Sequence, residues 1–355
     1  MLHEEVTSWI PGPKRLPFAI KTMADPEQGN QTFVTEFIFL GFGDLHDLQS
    51  LFFLLFLMIY VLTMVGNIVI IALIVTEHRL HTPMYFFLGN LSCLEICSTS
   101  TILPRMLSSL LNKQYGISLS GCFFQFYAFG SLACSECYLL SAMSYDRFLA
   151  IYKPLHYASL MNSKVCIQLA AWAWISGFVS NTFTSFLVSQ LTFCGSNHID
   201  HFFCDYTPLL VLSCSDTHAT EIAMSVEGTM CTVLPFVLTL MSYICIIATI
   251  LRIPSTTGRK KAFSTCSSHL VVVTIFYGSL IIVYTLPKSD VLRDQNKVFS
   301  VFYAILTPLL NPLIYSLRNK EFREALRKAM GNCVPSKRIR RVQTLDLNLK
   351  HTRDM

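Results

Sequence analysis

The chain has 355 residues, of which 52% are hydrophobic and only 14% are charged. Soluble domains carry about 25% charged residues, so this composition argues against a soluble protein and indicates a membrane protein. The formal net charge of +5 mostly reflects an uneven distribution of basic residues between the two sides of the predicted spans. We therefore do not interpret it as a nucleic-acid-binding patch.

Seven apolar stretches are long enough to cross a bilayer as helices, which takes about 20 residues each. They cover residues 50–76, 83–107, 119–149, 165–189, 222–251, 262–286 and 298–317. Backbone polar groups have no water to bind inside hydrocarbon, so each span is expected to be helical. The sequence predicts an all-α membrane protein with a seven-helix bundle over residues 50–317.

The distribution of basic residues between the loops predicts the orientation of the bundle. Eight basic residues fall after spans one, three and five, four fall after spans two, four and six, and eleven follow span seven. The positive-inside rule then places the C-terminus in the cytosol and residues 1–49 outside the cell. Residues 1–24 lack the apolar core of a secretory signal, so the first span is expected to act as an uncleaved anchor.

Two sites match the N-glycosylation pattern. Asn30 begins Asn-Gln-Thr in the tail that is predicted to be extracellular, and it is the expected acceptor. Asn90 begins Asn-Leu-Ser, but it lies inside the second span and is expected to be unmodified.

Four of the 13 cysteines fall at positions predicted to be outside the membrane: Cys122, Cys194, Cys204 and Cys214. Disulfides are expected in that oxidising compartment, and the spacing allows three pairings of the four. His198, His201 and Cys204 also have a spacing that suits a copper or zinc ion. A loop built around a disulfide at Cys204 is the favoured interpretation, so no metal site is predicted.

Polar side chains inside the spans are candidate functional residues, because burying them in a membrane is costly. Asn67, Glu95, Glu136 and Asn311 are expected at similar depths in four spans. Two buried carboxylates cannot both ionise cheaply, so they are expected to share a proton or to hold a cation such as sodium. A structural hydrogen-bond network is the alternative. Glu227 lies nearer the outer end, where it either recognises a polar ligand group or, as the favoured interpretation, faces the outer loop.

The end of the third span reads Met-Ser-Tyr-Asp-Arg-Phe-Leu-Ala-Ile-Tyr-Lys-Pro-Leu-His-Tyr, over residues 143–157. Odorant receptors, within the rhodopsin-like G-protein-coupled receptors, typically read M-A-Y-D-R-Y-x-A-I-C-x-P-L-x-Y here. The chain resembles that family from about Asn30 to Glu321, including Pro-Met-Tyr-Phe-Phe-Leu from Pro83 and Lys-Ala-Phe-Ser-Thr-Cys-Ser-Ser-His-Leu from Lys261. Phe148 and Tyr152 depart from the family's usual Tyr and Cys.

The resemblance implies a start near Met23, which makes residues 1–22 an optional extension, and the disulfides Cys122–Cys204 and Cys194–Cys214. It also implies that Asp146 holds Arg147 at rest and releases it toward Tyr243 and Tyr315 on activation, with Tyr152 and Lys261 on the G-protein coupling surface. Tyr152 and Leu155 are expected to project beyond the membrane. The ligand residues it implies lie in the outer halves of spans three, five and six. They are Phe129, Gly130, Ala133, Cys134, Cys137, Glu227, Cys231, Thr232, Tyr277, Leu280 and Tyr284, and Tyr277 is expected to link ligand contact to helix movement.

After the seventh span, Phe322, Leu326 and Ala329 recur at the spacing of one helical face. This pattern predicts an amphipathic helix on the membrane surface over residues 318–334, followed by a disordered cytoplasmic tail at 335–355. Cys333 is a candidate for palmitoylation.

The function implied is that of an odorant receptor in the plasma membrane. It would bind a small hydrophobic volatile and activate a stimulatory olfactory-type G protein, which raises cyclic AMP. Membrane lipid and export chaperones are further expected partners, nucleic acid is not one, and sodium is the one candidate cofactor. A transporter or channel is the alternative, but the sequence has no internal repeat of the kind that such proteins show. An enzyme is not predicted, since the spans hold no nucleophile constellation or His/Asp metal cluster.

Overall fold

The computed structural model describes residues 34–43, 48–112, 115–285, 297–318 and 320–333. Seven long helices appear in this part of the chain, one for each predicted span. They are α1 (Gln49–Thr76), α2 (Pro83–Asn112), α3 (Leu119–Tyr152), α5 (Ser163–Ser189), α7 (His218–Leu251), α8 (Thr256–Thr285) and α9 (297–318). Shorter helices are α4 (Tyr157–Leu160), α6 (Tyr206–Leu212) and α10 (Lys320–Cys333). The prediction of an all-α membrane bundle is confirmed.

Four of the helical segments within the described residues are long and apolar enough to cross a membrane by composition. These segments are α1, α2, α7 and Lys297–Ile314 within α9, and the apolar part of α8, His269–Tyr284, is shorter. Helix α3 is less apolar because it carries Glu136, Asp146 and Arg147, all of which face other parts of the protein.

Helix α3 is at the centre of the bundle, where it packs against α2, α5, α7 and α8. The approach of α5 depends on Gly177, because a Cβ at that position would lie 2.6 Å from the carbonyl oxygen of Ser131. Small residues commonly allow such close packing between membrane helices. The opposite face of α5 is apolar and exposed, as expected where a helix meets lipid, and consists of Trp172, Ile175, Val179, Phe183 and Phe186.

Prolines interrupt the regular hydrogen bonding of two long helices. Pro235 has no N–H to donate to the carbonyl four residues earlier, and a π turn at Thr229–Val233 precedes it in α7. A second π turn, Phe302–Leu306, precedes Pro308 in α9, and the Thr307 hydroxyl donates to the Phe302 carbonyl at 3.0 Å. The first of these turns presents Cys231 and Thr232 to the interior.

Three short strands, which the sequence analysis did not predict, join the segment before α1 to the loops at one end of the bundle. Strand β1 (Glu36–Phe39) pairs antiparallel with β2 (Gly116–Ser118) and parallel with β3 (His198–Ile199). Two disulfides lie beside this sheet, Cys122–Cys204 and Cys194–Cys214, with Cα–Cα distances of 5.5 Å and 6.1 Å. These are the pairs that the family resemblance implies. We call this end of the bundle the disulfide end and the opposite one the Arg147 end.

Helix α10 follows α9 at the Arg147 end. Phe322 and Ala325 are buried, while Lys328 donates to Glu77 at 2.8 Å and the Tyr85 hydroxyl donates to Glu321 at 3.3 Å. Helix α10 therefore lies against α1, the start of α2 and the turn between them. The candidate Asn30, residues 1–33 and 334–355, and the side chains of Lys261, Tyr315 and Cys333 lie outside the described residues.

Candidate ligand cavity and switch

A cavity of about 460 Å³ lies inside the bundle near the disulfide end. This volume is in the usual range for small-molecule sites, about 300–1,000 Å³. Ten of the eleven residues that the resemblance implied for the ligand pocket line it. They are Phe129, Gly130, Ala133, Cys134 and Cys137 of α3, Glu227, Cys231 and Thr232 of α7, and Leu280 and Tyr284 of α8.

Tyr277, the eleventh residue of that set, does not line the cavity. Its side chain is fully buried, and its ring packs against Phe236 with centroids 5.3 Å apart. The Tyr277 hydroxyl donates to the carbonyl oxygen of Cys137 at 2.7 Å. Because Cys137 itself lines the cavity, Tyr277 contacts the cavity wall from outside.

The cavity also has walls that the sequence analysis missed. Asn181 of α5 contributes to one side, and Asp205, Tyr206 and Thr207 come from the start of α6. The signal for Asp205 was present in the sequence, since it follows Cys204 and a disulfide to Cys122 brings it to the top of α3. Nothing comparable marked Asn181, whose amide donates to the Tyr127 carbonyl at 2.9 Å.

Glu227 faces the cavity rather than the outer loop, contrary to the favoured interpretation of the sequence. It is 8% exposed, and its Oε1 accepts a weak hydrogen bond from Cys134 Sγ at 3.5 Å. Its Oε2 has no hydrogen-bond partner among the described residues. A buried carboxylate oxygen without a partner is costly, so this atom is a natural contact for a polar group in the cavity.

Asp205 is a second buried carboxylate at the cavity wall. It caps α6 by accepting from the Tyr206 N–H at 2.8 Å, and it accepts from the Tyr284 hydroxyl at 2.9 Å. Burial raises the pKa of Asp205 to about 6, and these two hydrogen bonds oppose that rise. The carboxylate thus joins the α6 loop to α8 above the cavity.

His201, which the sequence considered as a metal ligand, is buried among aromatic rings instead. Its ring lies 4.6 Å from the rings of both Phe202 and Phe203, and burial lowers its pKa to about 3. His198 is exposed, and the Cys204 sulfur is bonded to Cys122. These three residues do not form a shared coordination site.

Three of the four predicted mid-bundle polar residues meet. Asn311 donates to Glu95 in α2, and the carboxyl groups of Glu95 and Glu136 interact directly. Asn67 is placed differently, because its amide donates to the backbone carbonyls of Thr63 at 3.0 Å and Pro308 at 3.3 Å. It therefore joins α1 to α9, whereas the other three connect α2, α3 and α9.

At the Arg147 end, the guanidinium of Arg147 forms an ion pair with the buried carboxylate of Asp146. The Tyr157 hydroxyl of α4 donates to the other oxygen of that carboxylate at 2.7 Å. Tyr243 of α7 is hydrogen-bonded to His269 of α8 at 2.5 Å. His269 lies in the segment that begins at Lys261, but nothing in the sequence marked it as functional.

Tyr152 and Leu155 lie at the surface beyond the end of α3. Tyr152 is 52% exposed and stacks on Phe148 with ring centroids 5.0 Å apart, while Leu155 is 94% exposed. The two departures from the family pattern, Phe148 and Tyr152, thus contact each other. Leu155 presents a free apolar side chain at this surface.

Comparison with known proteins identifies the family. A family model described as "Olfactory receptor" matches residues 56–332. The chain belongs to the olfactory receptor family. It is 49% identical to human Olfactory receptor 11L1 over 304 residues, which covers 86% of this chain and 94% of that protein. It is 47% identical both to human Olfactory receptor 11A1, over 90% of this chain and 98% of that protein, and to mouse Olfactory receptor 5AP2, over 86% and 96%.

Membership of this family makes the protein a multi-pass membrane receptor rather than an enzyme. Membership of the family also implies an odorant ligand and coupling to a G protein.

Proposed function

We propose that this olfactory receptor binds a small, mostly hydrophobic volatile in the cavity near the disulfide end. The observation that carries this proposal is the cavity itself, since apolar side chains of α3, α7 and α8 surround it and two buried carboxylates lie at its wall. Its volume suits a small organic molecule.

The polar groups of the cavity narrow the choice of volatile. The described lining residues include Asp205, Glu221 and Glu227 but no Lys, Arg or His. An anionic ligand would lose its hydration without gaining an opposite charge, which is unfavourable in a buried site. A volatile with one hydrogen-bond donor, such as an alcohol or an amine, is therefore favoured over a carboxylic acid.

We propose that the disulfide end faces the outside of the cell and that the Arg147 end faces the cytosol. The two disulfides suit an oxidising compartment, and basic residues are concentrated in the loops at the other end. In this orientation the exposed Leu155 and Tyr152 belong to the cytosolic surface that contacts the G protein. Membrane lipid would cover the apolar face of α5.

Ligand binding is proposed to act through the contact between Tyr277 and the carbonyl of Cys137. Movement of α8 away from α3 would separate Tyr277 from that carbonyl and His269 from Tyr243 in α7. Arg147 would then leave Asp146 and open the coupling surface to a stimulatory olfactory-type G protein, which raises cyclic AMP.

The Glu95–Glu136–Asn311 cluster is proposed to hold a shared proton or a sodium ion that favours the resting arrangement of the helices. Export chaperones are proposed to assist delivery of the receptor to the cell surface, because long apolar helix faces are exposed.

The test is cyclic AMP accumulation in cells that express the receptor with an olfactory-type Gα, across matched volatile alcohols, amines and carboxylic acids. The decisive variant is Ala133→Phe, which fills the cavity. Val179→Phe is the matched control, because it adds a similar ring to the exposed face of α5. We expect alcohols or amines to give a dose-dependent response that Ala133→Phe abolishes and Val179→Phe keeps.

A response that survives in Ala133→Phe at equal surface level would contradict binding in this cavity. Responses to acids alone would contradict the proposed ligand class.

A further inference from the structure

The wall of the cavity formed by α3 and α7 contains two free cysteines and a carboxylate in close proximity. The sulfur atoms of Cys134 and Cys231 and a carboxylate oxygen of Glu227 all lie within 4.8 Å of one another. Cys134 is half-buried, and the other two residues are buried. All three residues line the cavity.

We propose that Cys134, Glu227 and Cys231 form a binding site for a zinc ion. Thiolate and carboxylate ligands are both common for zinc, with distances of about 2.3 Å to sulfur and about 2.0–2.2 Å to oxygen. A tetrahedral ion with such bonds holds its ligand atoms about 4 Å apart. The present separations therefore need only small side-chain rotations to bring the three atoms onto one ion.

The unsatisfied oxygen of Glu227 is an independent observation that indicates a ligand at this place. Its side chain is more than nine-tenths buried, yet Oε2 has no hydrogen-bond partner among the described residues. Coordination to a cation would satisfy this lone pair directly. The described residues that line the cavity include no Lys, Arg or His to pair with the Glu227 carboxylate. A bound cation would therefore also explain why this carboxylate is buried beside two thiols.

Neighbouring hydroxyls support the orientation of Cys231. The Tyr138 hydroxyl donates to the Cys231 sulfur at 3.5 Å, and the Ser180 hydroxyl lies 3.3 Å from the same sulfur. Groups that hold the first ligands in place are a regular part of metal sites. The π turn in α7 adds to this arrangement, because Cys231 lies within it and Glu227 lies just before it.

The charges balance if each thiol releases its proton to solvent when zinc binds. Two thiolates then neutralise the ion, and the Glu227 carboxylate adds one negative charge. Three protein ligands leave the fourth tetrahedral position open, as in zinc sites that bind an exchangeable ligand. All three residues line the cavity, so a ligand with a nitrogen, oxygen or sulfur lone pair could occupy that position.

The test uses the purified full-length receptor in detergent under reducing, metal-free conditions. Zinc binding is measured by competition with a fluorescent zinc indicator, and cobalt is added separately because thiolate–cobalt bonds absorb in the near ultraviolet. The variants are Cys134→Ser, Cys231→Ser and Glu227→Gln. Cys245→Ser is the matched control, since Cys245 is a free cysteine of α7 that does not line the cavity.

We expect the wild-type receptor and Cys245→Ser to bind one more equivalent of zinc than either cavity cysteine variant. Glu227→Gln should weaken binding by about 10-fold or more, since even outer-shell changes weaken metal sites that much. The thiolate–cobalt absorption should decrease in each cysteine variant. Serine is close to cysteine in size, and thermal melting of each variant checks that it is folded.

Zinc binding that is equal in wild type, Cys134→Ser and Cys231→Ser would overturn the proposal. So would a disulfide between Cys134 and Cys231, detected by mass spectrometry of the alkylated protein. Neither measurement depends on signalling, so this inference and the proposed odorant response can fail separately.

Discussion

The two ends of the bundle differ in what their buried polar side chains contact. At the Arg147 end, the Asp146 carboxylate is bound by Arg147 and Tyr157, and Tyr243 is paired with His269. At the disulfide end, Glu227 keeps an oxygen without a partner among the described residues beside a cavity of about 460 Å³. Asp205 at the disulfide end is also hydrogen-bonded, so the difference lies in Glu227, whose unpaired oxygen belongs to a residue of the cavity wall.

The two ends should therefore respond differently to mutation. Groups at the Arg147 end are paired with each other, so changing them should alter which helix arrangement is favoured. Groups at the disulfide end hold the cavity walls together, so changing them should alter stability and ligand binding.

Arg147→Ala should abolish the cyclic AMP response while leaving surface expression largely intact. Removing the guanidinium takes away the group that is proposed to reach the G-protein surface, but it leaves the disulfides and the cavity unchanged. The measurement is cyclic AMP after stimulation with an active volatile, at matched surface level. Lys164→Ala, which removes an exposed basic residue at the start of α5 at the same end, is the control and should keep the response. A normal response in Arg147→Ala would refute the switch role.

Cys122→Ser should destabilise the receptor by about 2–5 kcal/mol and reduce its amount at the cell surface. Its disulfide to Cys204 closes 82 residues of sequence, whereas Cys194–Cys214 closes 20. Longer closed loops restrict the unfolded chain more, so Cys194→Ser should cost about 1 kcal/mol less than Cys122→Ser. Thermal melting in detergent compares the two variants. Equal losses would show that chain entropy does not decide the contribution of these disulfides.

The long apolar spans were predictable from sequence because membrane helices satisfy their own backbone and need no partner to be recognised. Most of the cavity wall followed from the family resemblance.

The direction of Glu227 could not be predicted from the sequence. A shift of one residue around α7 decides whether its side chain faces the loop or the interior, and the π turn before Pro235 sets that rotation. The strands β1 to β3 were missed because two to four residues that pair across distant loops have no periodicity of their own. Asn67 was expected to join the other mid-bundle polar residues, but its hydrogen bond to the Pro308 carbonyl depends on tertiary packing.

Asp205 should make the stability of the disulfide end depend on pH. Its folded pKa of about 6 lies above the ordinary value of 3.8, so the folded state binds the proton more tightly than the unfolded one. Stability from this group is therefore fully present below about pH 4 and is lost as the pH rises through about 6. The free energy of unfolding should fall by about 3 kcal/mol as the pH rises over that window.

The check is thermal melting from pH 4 to 7 for wild type and Asp205→Asn. Tyr284 and Tyr303 are the tyrosines that face this carboxyl, and they stay neutral over that range, so the difference between the two proteins isolates Asp205. Asparagine keeps an acceptor for the Tyr206 N–H and the Tyr284 hydroxyl, so its folding should be preserved. Parallel pH profiles for the two proteins would contradict the raised pKa.

Gly177→Ala should destabilise the contact between α3 and α5 by about 1–3 kcal/mol, the usual cost of overpacking a tight interface. The added Cβ would collide with the Ser135 hydroxyl and lie 2.6 Å from the Ser131 carbonyl oxygen. That carbonyl belongs to the backbone, so it cannot rotate away as a side chain could. Gly278→Ala is the matched control, because a Cβ there meets nothing within 4 Å and alanine favours the helix. The melting temperature should therefore fall in Gly177→Ala and stay equal or rise in Gly278→Ala.

Gly177→Ala should also affect signalling, because the Ser131 hydroxyl accepts a hydrogen bond from the cavity residue Asn181 at 3.2 Å. We expect this variant to weaken odorant potency more than it weakens the maximal response. A loss of maximal response without a loss of potency would place the α3–α5 contact on the signalling side of the comparison instead.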